Sequence, residues 1–261
     1  MIPPQLAALA ESPDAHTIPP PGFHRVLNER FALLLGPPAH FTSVQRLRLA
    51  PDAVEATVEE LRGIVREHGH TNATWWIGGS TEPPDLAARL EALGFRPPAD
   101  RVSDLVALAT ATPPEPGPPG VEARLVETLE EFTTANEIRW DAFSVPDWRR
   151  EPERRQLEQQ FAQVHGSGIA PTFLAWVDGR AAATAIGVYA PEGCLLVGGA
   201  TAAWARGRGA YRALVRARWD EAVRRGTPGL AVEAAPTSEP ILRRLGFGEV
   251  TRLRRLEDPA T

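Results

Sequence analysis

"WARGRGAYRALVRARWDEAVRRG", Trp204 to Gly226, sets Gly207 and Gly209 between arginines, directly ahead of a run with Ala and Leu at helical spacing. Two readings stand open for it. One is a plain loop with a helix behind it; the other is a cradle for an anion at a helix N-terminus. A helix beginning near Gly209 puts Ala210, Ala213, Leu214 and Ala217 on one face, and Arg212, Arg216, Asp220 and Arg224 on another. Its first turn carries unpaired N–H groups and a partial positive charge. Glycines just before that turn let the main chain approach a diphosphate closely, and Arg206 and Arg208 add charge.

The rest of the chain sets the context. Its 261 residues suffice for one large domain or two ordinary ones, and a 43% apolar fraction is enough to build a core. All 28 basic residues are Arg, and the net charge of −5 comes without a basic block, which argues against a nucleic-acid surface. The single cysteine, Cys194, excludes an internal disulfide and a CxxC metal pair. His68 and His70 lack the i, i+4 spacing of helical metal ligands, so no metal site is expected. The first residues, "MIPPQLAALAESPDAH", have no basic n-region, and no run approaches the roughly 18 apolar residues of a membrane span. The expectation is a soluble, cytoplasmic protein without a membrane or nucleic-acid partner.

"ATATPPEPGPPG", Ala109 to Gly120, reads as an extended, solvated linker, because its prolines forbid a helix interior and central strand pairing. It divides the chain into residues 1–108, the linker at 109–120, and residues 121–261. Before the linker, Phe41–Ala50 and Ala73–Ser80 read as strands. A helix opens at Pro51, "PPDLAARLEALGF" forms a short helix, and "VSDLVALA" closes the part as a strand. After it the order is strand, helix, helix, three strands, helix, strand, helix, strand, an α/β arrangement on a mixed sheet. Asp178-Gly179 and Glu192-Gly193 are the hairpin joints. "WWIGGSTEPPDLAARLEALGF" and "LAVEAAPTSEPILRRLGF" share a strand, a turn, a short helix and a terminal Leu-Gly-Phe, a domain length apart. That echo is read as a duplicated domain with a reduced first copy.

Arg206-Gly207-Arg208-Gly209 after a strand and before a helix resembles the pyrophosphate loop (R/Q-x-x-G-x-G/A) of the GNAT N-acyltransferase superfamily. Ala222 and Gly226 match that helix's usual ending, and "GLAVEAA" followed by "ILRRLGF" matches the family's last motif. The resemblance covers about Val121 to Leu256. The first part keeps only the "LGF" end, so the chain resembles a tandem of two GNAT copies with a degenerate first one. The resemblance implies the GNAT fold, acetyl-CoA as co-substrate, and direct transfer of its acetyl group to a primary amine on a small molecule or a protein. It further implies that Thr201 and Ala203 offer main-chain groups to the pantetheine arm. Arg206, Gly207, Arg208, Gly209, Ala210 and Tyr211 would supply N–H donors to the diphosphate.

The sequence departs from the family pattern in three places. Tyr211 stands where the loop ends in a small residue; Leu242 stands where many members place a Tyr as general acid, and Ala235 where an Asn is expected. Leu242 cannot donate a proton, which leaves Ser238, Tyr211 or water for the departing thiolate. Glu233, flanked by small and apolar residues, is the candidate base, since burial would raise its pKa towards neutrality. An edge carboxylate paired with an arginine is the alternative reading. Trp140 and Asp141 fall where the family forms its acceptor wall, with a plain core tryptophan as the alternative. A non-catalytic acyl-CoA-binding or sensing protein remains the competing function. Neither the acceptor's identity nor the oligomeric state is written in the sequence.

Overall fold

The computed structural model describes residues 1–37, 41–99 and 102–258, so residues 259–261 of the sequence-drawn second domain lie outside the described residues. In chain order the elements are α1 (Pro4–Glu11), β1 (His24–Leu27), β2 (Ala32–Leu35), β3 (Thr42–Gln45), α2 (Val54–Glu67), β4 (Ala73–Ile77), α3 (Leu86–Ala92) and β5 (Asp104–Thr110). There follow β6 (Val121–Leu125), α4 (Leu129–Ala142), α5 (Asp147–Arg154), α6 (Leu157–Ser167), β7 (Thr172–Val177), β8 (Arg180–Ala190) and β9 (Gly193–Thr201). The last are α7 (Ala210–Arg224), β10 (Leu230–Ala234), α8 (Glu239–Arg244) and β11 (Gly248–Asp258). α1 and the β1–β2 pair carry no clear sequence signal, and the expected second helical stretch is divided between α5 and α6.

Two compact units cut the chain differently from the boundaries drawn on the sequence. One, the loop unit, comprises residues 1–6, 109–232 and 244–247; the other, the companion unit, comprises 7–108, 233–243 and 248–261. The reason is physical. β11 pairs antiparallel with β4, Arg254 opposite Ile77 through Asp258 opposite Ala73, so the last strand completes the companion unit's sheet. Arg62 closes the same join with a two-pronged ion pair to the buried Asp258 at 2.8 and 2.9 Å.

In the companion unit the strand order is β1-β2-β3-β4-β11-β5. β1, β2 and β3 pair antiparallel, while β4 returns through α2 to lie parallel to β3. α2 turns Val54, Val58, Leu61 and Val65 onto this sheet, where they bury with Phe31, Trp75, Phe95 and Leu256. In the loop unit the order is β10-β9-β8-β7-β6. β6 to β9 pair antiparallel, and β10 returns through α7 to lie parallel to β9. Asp178 and Gly179 both take positive φ, 51° and 77°, as a two-residue hairpin between β7 and β8 requires. The succession β3–α2–β4–α3 therefore repeats as β9–α7–β10–α8. Each "LGF" closes its short helix with a left-handed glycine, Gly94 and Gly246, and a buried phenylalanine.

Ala109 and Thr110, drawn into the linker on the sequence, are the buried end of β5; residues 111–120 have no regular structure and are mostly exposed, but they are fixed in place rather than free. They belong to the loop unit and lie along α7. Arg216 donates to the Pro114 carbonyl at 3.0 Å, Glu115 pairs with Arg212 at 3.8 Å, and Pro114 is buried. Gly117 lies so close to α7 that a Cβ there would come within 2.7 Å of the Ala213 Cβ.

Candidate active site

β9 is built to expose backbone. Val197 pairs with Ile186 and Ala200 with Thr184, so Gly198 and Gly199 together face one residue of β8 and form a bulge. Gly198 takes φ +61°, and a Cβ on Gly199 would sit 2.8 Å from the Tyr211 ring. Both positions need glycine, each for its own reason; neither was singled out by motif, because a bulge leaves no spacing signature. Beyond the bulge β9 ends at Thr201. Its parallel pairing with β10 is confined to Cys194 opposite Leu230 and Leu195 opposite Ala231.

A 3-10 turn, Ala203–Ala205, leads from β9 into the arginine-glycine loop. Gly207 and Gly209 have φ of 77° and 87°, conformations that a side chain would strain. Gly209 is the N-cap of α7 and supplies no side-chain acceptor. Among the loop amides, those of Arg206 and Arg208 are spent on the Ala203 and Ala205 carbonyls. The N–H groups of Gly207, Gly209, Ala210 and Tyr211 have no partner among the described residues. The expected run of free N–H donors is thus shorter than Arg206–Tyr211. Arg208 is held by Asp178 at 2.5 Å, while Arg206 is exposed with no ion-pair partner among the described residues. Trp204 lies under the Arg180 guanidinium at 4.2 Å. On α7, Arg216 pairs with Asp220 at 2.8 Å, whereas Arg224 turns to Glu221.

Tyr211, whose ring is expected from the sequence to point off the loop onto the adenine or the core, lays it on the β9 bulge. Leu242 is fully buried. Trp140 is a core residue at 2% exposure whose Nε1 donates to Glu153 at 2.7 Å, and Asp141 is an exposed partner of Arg150 at 2.7 Å. The wall expected from Trp140 and Asp141 is a packed side chain and a surface ion pair.

Glu233 and Ser238 belong to the companion unit, and the loop residues with Thr201 and Ala203 belong to the other. Glu233 stands two residues beyond Ala231 on β10. Its Oε1 is buried without a hydrogen-bond partner. Burial pushes its carboxyl up to about 8, the Asp14 carboxylate pushes in the same direction, and Arg255 opposes both. Asp14 is itself pushed up to about 6 by burial, offset by the Ser43 hydroxyl that donates to its Oδ2 and by Arg25. Sequence reading missed Asp14, which no motif marks. The Ser238 hydroxyl donates to the Ala235 carbonyl at 3.1 Å, ahead of α8. No group of three or more metal-ligating side chains occurs among the described residues, and no helix among them is long and apolar enough to cross a membrane.

Neither a protein-family model nor a curated protein sequence matches the chain. Solved structures do. A GCN5-related N-acetyltransferase from Kribbella flavida superposes with a TM-score of 0.71 at 20% identity, covering 98% of this chain and 96% of that one. A tandem GNAT protein from the clavulanic acid biosynthesis pathway gives 0.63 at 17% identity over 99% and 89%. A GCN5-related N-acetyltransferase from Sphaerobacter thermophilus gives 0.61 at 19% identity over 89% and 81%. The chain has the GNAT fold, in agreement with the reading of its loop.

Proposed function

We propose that the chain is an N-acetyltransferase that moves the acetyl group of acetyl-CoA to a primary amine by direct attack. The observation that carries this reading is the uncapped start of α7, where four unpaired N–H groups and the free Arg206 converge on one turn. Such a turn suits a diphosphate. Thr201 and Ala203 would lie along the pantetheine arm. Both copies of the duplicated fold survive, but only the second carries this loop; the segment between β3 and α2 has no glycine.

In the reaction the amine nitrogen attacks the thioester carbonyl carbon, the C–N bond forms and the C–S bond breaks. An ammonium must first lose a proton, and Glu233, when ionised, is the group assigned to take it. The leaving thiolate collects a proton from Ser238, Tyr211 or solvent. A thiolate of pKa near 8.5 is a tolerable leaving group, so Leu242 in place of an acid need not stop the chemistry. Leu242 also favours a second reading, an acyl-CoA-binding protein that does not turn over.

A panel of primary amines incubated with acetyl-CoA, read by release of free CoA thiol, separates the two. Release dependent on an amine supports transfer. Saturable acetyl-CoA binding with no release from any amine supports the binding protein.

A further inference from the structure

Arg139 occupies the last turn of α4, and its Cδ lies 4.0 Å from where a Cβ on Gly198 would be. Its side chain therefore rests against the β9 bulge at Gly198, next to the Tyr211 ring at Gly199. The bulge itself is not sealed, since Gly199 is exposed and Gly198 half-buried.

Arg139 makes no ion pair among the described residues. Its neighbours on the helical segment are paired, Arg150 with Asp141 at 2.7 Å and Arg154 with Glu137 at 2.7 Å. The Arg139 guanidinium donates to the amide oxygen of Asn136. Asn136 is held in turn, at 1% exposure, by donating to the Phe132 carbonyl at 2.7 Å. Glu153 supplies some field, but its Oε2 already accepts from Trp140. Burial depresses the Arg139 pKa, and the field of Glu153 opposes that only in part.

A cation at the end of α4 also meets the negative pole of the helix. That attraction would hold equally for a fully exposed arginine, so it does not account for the buried asparagine that aims the guanidinium. A planar donor fork that is partly buried, held from one side by Asn136 and left with donors to spare is suited to a carboxylate or a phosphate.

We propose that Arg139 is the receptor for an anionic group, carboxylate or phosphate, carried by the acceptor amine and bound beside the β9 bulge. The proposal rests on the acetyl-transfer reading and narrows its acceptor to amines bearing a negative charge. Arg139 then acts as a specificity residue, with no part in moving protons.

The test uses the full chain with CoA present and four probes: β-alanine, O-phosphoethanolamine, β-alaninamide and ethanolamine. Titration calorimetry is expected to give at least about 10-fold tighter binding for an anionic probe than for its neutral counterpart, the preference of a charge-assisted bond. The better of the two anions identifies carboxylate or phosphate. Arg139→Met should erase the preference, with a modest fall in Tm because the buried Asn136 oxygen loses its donor, and Arg139→Lys should retain part of it. Equal binding of charged and neutral probes, or no binding of either anion, overturns the proposal using wild-type protein alone. So does a preference that survives in Arg139→Met. The same four amines with acetyl-CoA complete the test. Anions that bind through Arg139 yet are never acetylated uphold the receptor and overturn the transferase reading.

Discussion

The Cγ and Cδ of Pro118 lie 2.5 Å from the place a Cβ on Gly209 would take. The Pro-rich segment is thus packed against the N-cap of the helix on which the proposed diphosphate site depends. Any side chain at Gly209 meets two obstacles, the proline ring and a φ of 87°. Gly209→Val is expected to lose the thermal shift given by acetyl-CoA and to cost roughly 1–3 kcal/mol of stability as well. Arg206→Ala separates the two effects. It should weaken the shift several-fold while leaving the unliganded Tm within a degree or so, because Arg206 is exposed and unpaired. An unchanged shift in both variants would remove the diphosphate from this turn.

Glu233 makes stability depend on pH. Its carboxyl rises from 4.5 to about 8 on folding, so the native state holds a proton between those values that the unfolded chain releases. The associated stability is complete below about pH 4.5 and is lost as pH climbs through about 8. Asp14, pushed up to about 6, adds to the fall at the acidic end of that window. Unfolding free energies from urea titrations at pH 5 and pH 8.5 should differ by an amount on the order of 4 kcal/mol. Glu233→Gln should flatten most of the difference. A curve as steep as wild type in that variant would place the titrating group elsewhere.

The same carboxyl shapes the kinetics. Acetyl transfer is expected to accelerate with pH and level off above about 8, as Glu233 ionises. Glu233→Gln should cost about 10- to 1,000-fold in turnover with acetyl-CoA affinity unchanged, and Ser238→Ala should cost less. Steady-state rates of both variants with whichever amine the panel returns decide it. Wild-type turnover in Glu233→Gln at every pH would exclude Glu233 as the base.

β11 binds the fate of the companion unit to the end of the chain. Leu256, fully buried with Trp75 and Phe95, should cost about 2–5 kcal/mol when replaced by Ala. A fragment spanning 121–261 would present β11 without β4 and expose an unpaired strand edge. It is expected to aggregate, where a self-contained domain would stay soluble. Because the Pro-rich segment is packed on α7, limited proteolysis should spare residues 109–120 until the whole chain unfolds. A soluble, acetyl-CoA-binding 121–261 fragment would restore the boundaries drawn on the sequence.

Local chemistry made much of this protein legible in its residues. The arginine-glycine loop, the start of α7 at Gly209, the Asp178-Gly179 hairpin and the "LGF" echo all depend on backbone preferences that a few residues impose on themselves. Those features were enough to indicate the GNAT fold. The bulge at Gly198 and Gly199, the strap of Pro114 to Pro118 on α7, and β11 in the sheet with β4 depend on partners far away in sequence, and no spacing encodes them. The amide inventory of the loop belongs with them, since the 3-10 turn that spends the Arg206 and Arg208 donors is set by how β9 ends. So do the charges. Whether Glu233 is an ordinary surface carboxylate or a buried one held near pH 8, and whether Arg139 is paired or bare, is a matter of which water and which counter-ions packing has removed. Sequence fixes which groups can ionise; only the tertiary structure decides the dielectric and the neighbours in which they do so.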